Sequence, residues 1–151
     1  MQLEQLDLPG GGLLTVYLRD CVETMPLAME RPLVLVVPGG GYSHLSAREG
    51  DPVALQFAAA GYHTAVLRYA VGDDAAHGLP LRQLVSAIGL VRQHAAAWHV
   101  QPDKIAVCGF SAGGHLALSG AVLAVPGLPD PSRPDAVILG YPVITAGEYA
   151  H

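Results

Sequence analysis

The chain has 151 residues, of which 51% are hydrophobic and 14% charged, a composition that builds a buried core and excludes a disordered segment. Its formal charge of −5 offers no basic footprint for nucleic acid. No apolar run reaches the roughly 18 residues that would cross a membrane. The opening MQLEQLDLPG lacks the basic-then-apolar order of a secretory signal, and two cysteines make no disulfide framework, so a reducing, cytoplasmic setting is expected.

Along the chain, PGGG (9–12) reads as a turn and LLTVYL (13–18) alternates as a strand does. LVLVV (33–37) is a continuous apolar, β-branched run of the kind buried on both faces of a parallel sheet, and it empties into the loop PGGGYSH. Residues 47–60 are expected to be helical, with Val53, Ala54, Phe57 and Ala58 on one face and Gly61 as the stop. HTAVLRY (63–69) is the next strand, followed by an acidic loop, VGDDAAHGLP. Leu84, Val85, Ile88 and Val91 recur at helical spacing within 81–98. QPDK then turns the chain into the strand IAVCGF; AGGHLALSGAVLA is a helix, PGLPDPSRPD a loop, and AVILGYPVI a last strand. The alternation, with no internal repeat, predicts one α/β domain over 1–151. Its mostly parallel sheet carries helices on both faces, and the site lies beyond the carboxyl ends of the strands.

Two glycine-rich loops follow strands. Neither contains the Lys-Ser/Thr of a phosphate-binding P-loop, and a dinucleotide pattern begun at Gly39 and Gly41 meets His44 where its last glycine belongs. Gly109-Phe110-Ser111-Ala112-Gly113 instead fits Gly-x-Ser-x-Gly on a strand-to-helix junction, a nucleophile elbow. The turn is so sharp that the flanking positions, Gly109 and Gly113, must lack side chains. It also sets Ser111 at a helix N-terminus, where free amides favour negative charge. The amide of Ala112 is one candidate oxyanion donor, and those of Gly40 and Gly41, in the loop after residue 37, are the others. Tyr42 and His44 are weaker candidates for the substrate edge.

The segments VVPGGGYSHLSAREGDPVA, GYHTAVLRY, AAAWHVQPDKIAVCGFSAGGHLA and ILGYPVI resemble the α/β-hydrolase esterase/lipase family. The resemblance runs from Leu33 onward and is to small acetyl-esterase or xylan-esterase-like hydrolases related to bacterial feruloyl esterases. Pro38 departs from it, since many relatives of the lipase branch carry His there. The resemblance implies hydrolysis of short-chain acyl or acetylated-carbohydrate esters through an acyl-enzyme on Ser111, with an Asp orienting a His base. No cofactor or metal is expected, and the expected partner is a small-molecule ester.

The acid and the base are hard to find. Asp130 and Asp135 precede the last strand, and six residues of strand separate its two ends by roughly 20 Å. His115, one helical turn past Ser111, reads as a packing or helix-dipole residue, and the resembling family takes its acid–base pair from elsewhere. His63 begins a strand on the far side, His77 lies in the acidic loop, and His94 and His99 suit a helix end. Glu148 and His151 lie past the catalytic end of the last strand, but close to the chain end. The expectation is therefore an N-terminal portion of the fold that lacks the last strands with their Asp and His, leaving an apolar edge through which copies could self-associate. A prolyl-oligopeptidase-type serine peptidase and a non-catalytic hydrolase-like binding module are the rival readings.

Overall fold

The computed structural model describes residues 1–22, 24–25, 29–123, 125 and 132–145. Strands β1 (Gln2–Leu8), β2 (Gly12–Leu18), β3 (Arg31–Val37), β4 (His63–Arg68), β5 (Val100–Phe110) and β6 (Ala136–Gly140) form one sheet in the order β1-β2-β4-β3-β5-β6. The β1–β2 and β2–β4 pairs are antiparallel, and β3–β4, β3–β5 and β5–β6 are parallel. The parallel strands are joined by α1 (Asp51–Ala59), by α2 (Leu79–Gln93) with the short α3 (Ala95–Trp98), and by α4 (Ala112–Val122).

Side-chain alternation assigns the two faces. Leu33, Leu35 and Val37 of β3, Ala65 and Leu67 of β4, and Ile105 and Val107 of β5 join Leu84, Ile88 and Val91 of α2 and Leu116 and Ala117 of α4 in the larger core. The intervening Val34, Val36, Val66 and Cys108 meet Ala54 of α1, with Phe57 packed against them, on the opposite face. Helices thus cover both faces, as expected from β-branched runs that have no polar side to show to water.

Several boundaries differ from the sequence reading. β1 is an addition to it. The helix expected over 47–60 divides into a 3-10 turn, Ala47–Glu49, and α1, because Gly50 adopts φ −94 and ψ −109 and Pro52 fits the first turn of α1. The helix expected over 81–98 starts at Leu79 and breaks at His94. QPDK lies within the span of β5, although the β3 register jumps from Arg31↔Val100 to Leu33↔Ile105, so residues 101–104 loop out of the ladder. The last strand stops at Gly140 rather than continuing to Ile144. Among the described residues β6 is an edge strand, and Ile138 on it is 43% exposed. No helix of the described residues is long and apolar enough to cross a membrane.

Candidate active site

The elbow forms where β5 passes into α4. Ser111 adopts φ 51 and ψ −117, a conformation that costs an L-residue energy and persists only when its surroundings impose it. Its N–H donates to the carbonyl of Gly140 at 2.9 Å, and its carbonyl accepts from His115 N at 3.0 Å and Val143 N at 3.2 Å. The flanking glycines are sterically required. A Cβ on Gly109 would lie 2.2 Å from the Gly113 carbonyl oxygen, and one on Gly113 would lie 2.2 Å from that of Val37. Helix α4 starts at Ala112, which is buried, so the first free amides of the helix stand at the serine.

The loop after β3 faces this turn. Gly39 lies so close that a Cβ there would meet the Phe110 carbonyl oxygen at 2.7 Å and Ser111 Cβ at 3.1 Å. Gly40 and Gly41 come next in the loop, with φ of 134° and 61°. The Gly40 carbonyl is turned back into its own loop, accepting from Ser43 N at 3.1 Å, His44 N at 3.3 Å and Ser43 Oγ at 2.9 Å. Gly40, Gly41, Ser43, His44 and Ser111 line one open pocket of about 530 Å³, together with Arg48, Glu49 and Tyr141.

His44 therefore stands in the serine's pocket, with Nδ1 3.1 Å from Ser43 Oγ. Tyr42 turns the other way. Its ring packs edge-on against Tyr69 and His115, its hydroxyl lies 2.8 Å from His115 Nδ1, and burial pushes its pKa up to about 12. Tyr69 in turn donates to the Pro38 carbonyl at 2.7 Å. His115 is thus a packing partner of the glycine loop from the first turn of α4. Asp135 lies at the amino end of β6, where it accepts from Ile105 N at 2.8 Å and from Arg92 at 3.0 Å. His63 is buried at the amino end of β4, and His94 and His99 stand at the C-terminal ends of α2 and α3. Asp130, Glu148 and His151 lie outside the described residues. Among the described residues, no histidine or carboxylate is hydrogen-bonded to the Ser111 hydroxyl.

The sequence reading misses Glu49 and Tyr141. It absorbs Glu49 into the helix over 47–60, although the Gly-Asp-Pro just after it is a helix-start signal that places Glu49 in the preceding turn. It places Tyr141 inside the last strand. Cys108, directly under the elbow, is a buried free thiol whose pKa is raised by burial, the setting of an inert cysteine.

Comparison with known proteins adds three findings. A profile of the BD-FAE family matches residues 22–126. Among curated proteins, the chain is 37% identical over 133 residues to endo-1,4-beta-xylanase B of Butyrivibrio fibrisolvens, covering 82% of this chain and 21% of that protein. It is 34% identical over 118 residues to an acetylxylan esterase of Xylanibacter ruminicola, covering 76% and 23%. Among solved structures, an α/β-hydrolase enzyme from a Medee basin deep-sea metagenome library superposes with a TM-score of 0.87 at 39% identity, over 99% of this chain and 60% of the other. The chain therefore spans about a fifth of the curated relatives' length and three fifths of that solved structure.

Proposed function

The chain belongs to the BD-FAE family of α/β-hydrolases, and from that premise we propose that it provides the nucleophile and oxyanion-binding half of a serine carboxylic ester hydrolase. The observation that carries the reading is Ser111, held at φ 51 by two glycines that tolerate no Cβ and opening into the same pocket as Gly40 and Gly41. In this reading Ser111 Oγ attacks the ester carbonyl. The amides of Gly40, Gly41 and Ala112 hold the oxyanion of the tetrahedral intermediate. A base takes the hydroxyl proton and returns it to the departing alcohol, and water then releases the acid from the acylated serine. The base and its orienting acid are assigned beyond the described residues, since His44, the one histidine lining the pocket among those residues, is bonded to Ser43 Oγ rather than to the Ser111 hydroxyl, and Asp135, His63 and His115 are committed elsewhere.

The proposed substrates are short-chain acyl esters, among them acetylated carbohydrates. The acetylxylan esterase relative supports this, as does a pocket edged by Ser43, His44, Ser46 and Arg48, which suits a hydroxylated alcohol. The exposed edge at β6 fits a partner strand, from more of the same protein or from a second copy.

A fluorophosphonate probe with intact-mass readout tests the assignment. One adduct is expected on the longest chain the gene encodes, absent in Ser111→Ala. An adduct that survives the substitution, or none in wild type, overturns it. Acetate release from acetylated xylan, lost with the same substitution, tests the substrate class.

A further inference from the structure

Glu49 has no part in that chemistry, yet it lines the serine's pocket and both of its oxygens are engaged. Oε2 accepts from Gly39 N at 2.8 Å, and Oε1 accepts from the Tyr141 hydroxyl at 2.7 Å. Those donors belong to the two loops that flank Ser111. Gly39 precedes the Gly40–Gly41 pair, and Tyr141 is the neighbour of Gly140, whose carbonyl accepts from Ser111 N. The turn that carries Glu49 grips Gly39 from its other side as well, since Ser46 N donates to the Gly39 carbonyl at 2.9 Å and Glu49 N to that of Ser46 at 3.1 Å. The peptide groups of Gly39 are therefore fixed at both N–H and C=O. This happens where a Cβ on Gly39 would lie 2.9 Å from Glu49 Oε2 and 3.1 Å from Ser111 Cβ.

Gly40 and Gly41 have no side chains to steer them, and a Cβ on Gly41 would meet nothing within 4 Å. The Gly40 N–H shares a peptide plane with the Gly39 carbonyl, so its direction follows Gly39, while the Gly41 N–H shares one with the Gly40 carbonyl, which Ser43 and His44 hold from the other side. We propose that Glu49 is a positioning residue, which sets the Gly39–Gly40–Gly41 backbone against Ser111 and, through Tyr141, ties that loop to the one after β6. The proposal rests on the esterase reading for its consequence, the alignment of oxyanion donors, but its geometry stands without it. A carboxylate suits the task because one short side chain offers two strong, charge-assisted acceptors to two loops at once. Glutamine can keep the Gly39 bond on its carbonyl and reach Tyr141 only by donating its NH2 to the hydroxyl oxygen, so both contacts lose the carboxylate charge.

The test measures phosphonylation of Ser111 against probe concentration, separating the maximal rate from half-saturation, for wild type, Glu49→Ala and Glu49→Gln. The amide signals of Gly39, Gly40 and Gly41 are tracked by NMR in the same proteins. Displacing a positioned group by an ångström costs on the order of 100-fold. Glu49→Ala is accordingly expected to lower the maximal rate about 10- to 100-fold, with half-saturation within about threefold. The Gly39 amide should lose its downfield shift and its protection from exchange. Glu49→Gln should recover most of the rate, remaining about two- to fivefold below wild type, with a partial shift of the Gly39 amide. If Glu49→Ala melts far below wild type, the glutamine variant decides alone: a rate and a Gly39 signal both unchanged overturn the proposal. It is also overturned if a folded Glu49→Ala keeps the wild-type rate, or loses it only through weaker half-saturation. Should wild-type Ser111 take no probe, the esterase reading falls and the NMR arm decides. Displaced Gly40 and Gly41 amides in Glu49→Ala then support positioning, and unmoved ones refute it.

Discussion

Ser111 is held at a backbone angle that costs about 1–3 kcal/mol, and three backbone hydrogen bonds, to Gly140 at the end of β6, Val143 in the loop after it and His115 in the first turn of α4, keep it there. The glycines around it differ in what they protect, and the difference can be measured. A methyl group on Gly113 would collide with the carbonyl oxygens of Val37 and Pro38, at 2.2 and 2.4 Å, which are backbone atoms at the end of the central strand and cannot swing aside. Gly113→Ala is therefore expected to cost about 3 kcal/mol or more and to abolish serine labelling. Gly41 is open around its Cβ position and is a glycine only for its φ of 61°, so Gly41→Ala should cost about 1–2 kcal/mol. Urea unfolding of the two variants checks the ranking, and equal losses would mean that the elbow relaxes more readily than its packing indicates.

At the scale of elements, α2 supplies most of the cover on the larger core face. Ile88 is fully buried within the larger core, whereas Leu55 of α1 is 42% exposed. Ile88→Ala should lose about 2–5 kcal/mol in urea unfolding and Leu55→Ala under about 0.5. A large loss at Leu55 would mean that the outer side of α1 is covered in solution. The inner elements are legible in the sequence for the same reason that Ile88 matters. β3, β4 and β5 are buried on both faces and read as apolar runs, and α2 shows its period. β1 is not legible because an edge strand has little to hide. Leu3, 57% exposed, and the buried Leu8 are an odd number of residues apart, so its leucines fall on both faces and mark neither in the sequence. QPDK is half legible: its turn residues do leave the ladder, but the Arg31↔Val100 pairing before them lies far away in the chain. In the site, Ser111 and its glycines are legible because a steric constraint writes them into a short motif. Glu49 is not, because its partners, Gly39 and Tyr141, come together only after the crossovers between the parallel strands have been made.

The molecule as a whole has two chemically different ends. The carboxyl ends of the strands carry the serine and the glycine loops, and the amino ends are sealed by buried polar contacts. His63 is the most buried of these. Arg19 N donates to its Nδ1 at 3.0 Å, so Nδ1 is unprotonated, and Nε2 carries the proton toward the His99 carbonyl at 3.2 Å. Burial lowers its pKa below the usual 6.5, and the positive charges of Arg31, His99 and Arg19 act in the same direction, against a partial rise from the His99 carbonyl. A second proton on the ring would also face the Arg19 N–H directly. Because the folded-state pKa is depressed, the unfolded chain binds more protons as the pH falls through about 6.5, and stability is lost from there down to the folded-state value. One such group gives a slope of at most about 1.4 kcal/mol per pH unit. His63→Gln replaces the ring by an amide that can accept from Arg19 N and donate to His99 without titrating. Urea unfolding between pH 7.5 and 5.5, above the range where carboxylates dominate, should show the wild type losing stability with acid and the variant tracing a flatter line. Parallel lines would show that the proton uptake belongs to another histidine, and that the amino end of the sheet tolerates a charged His63.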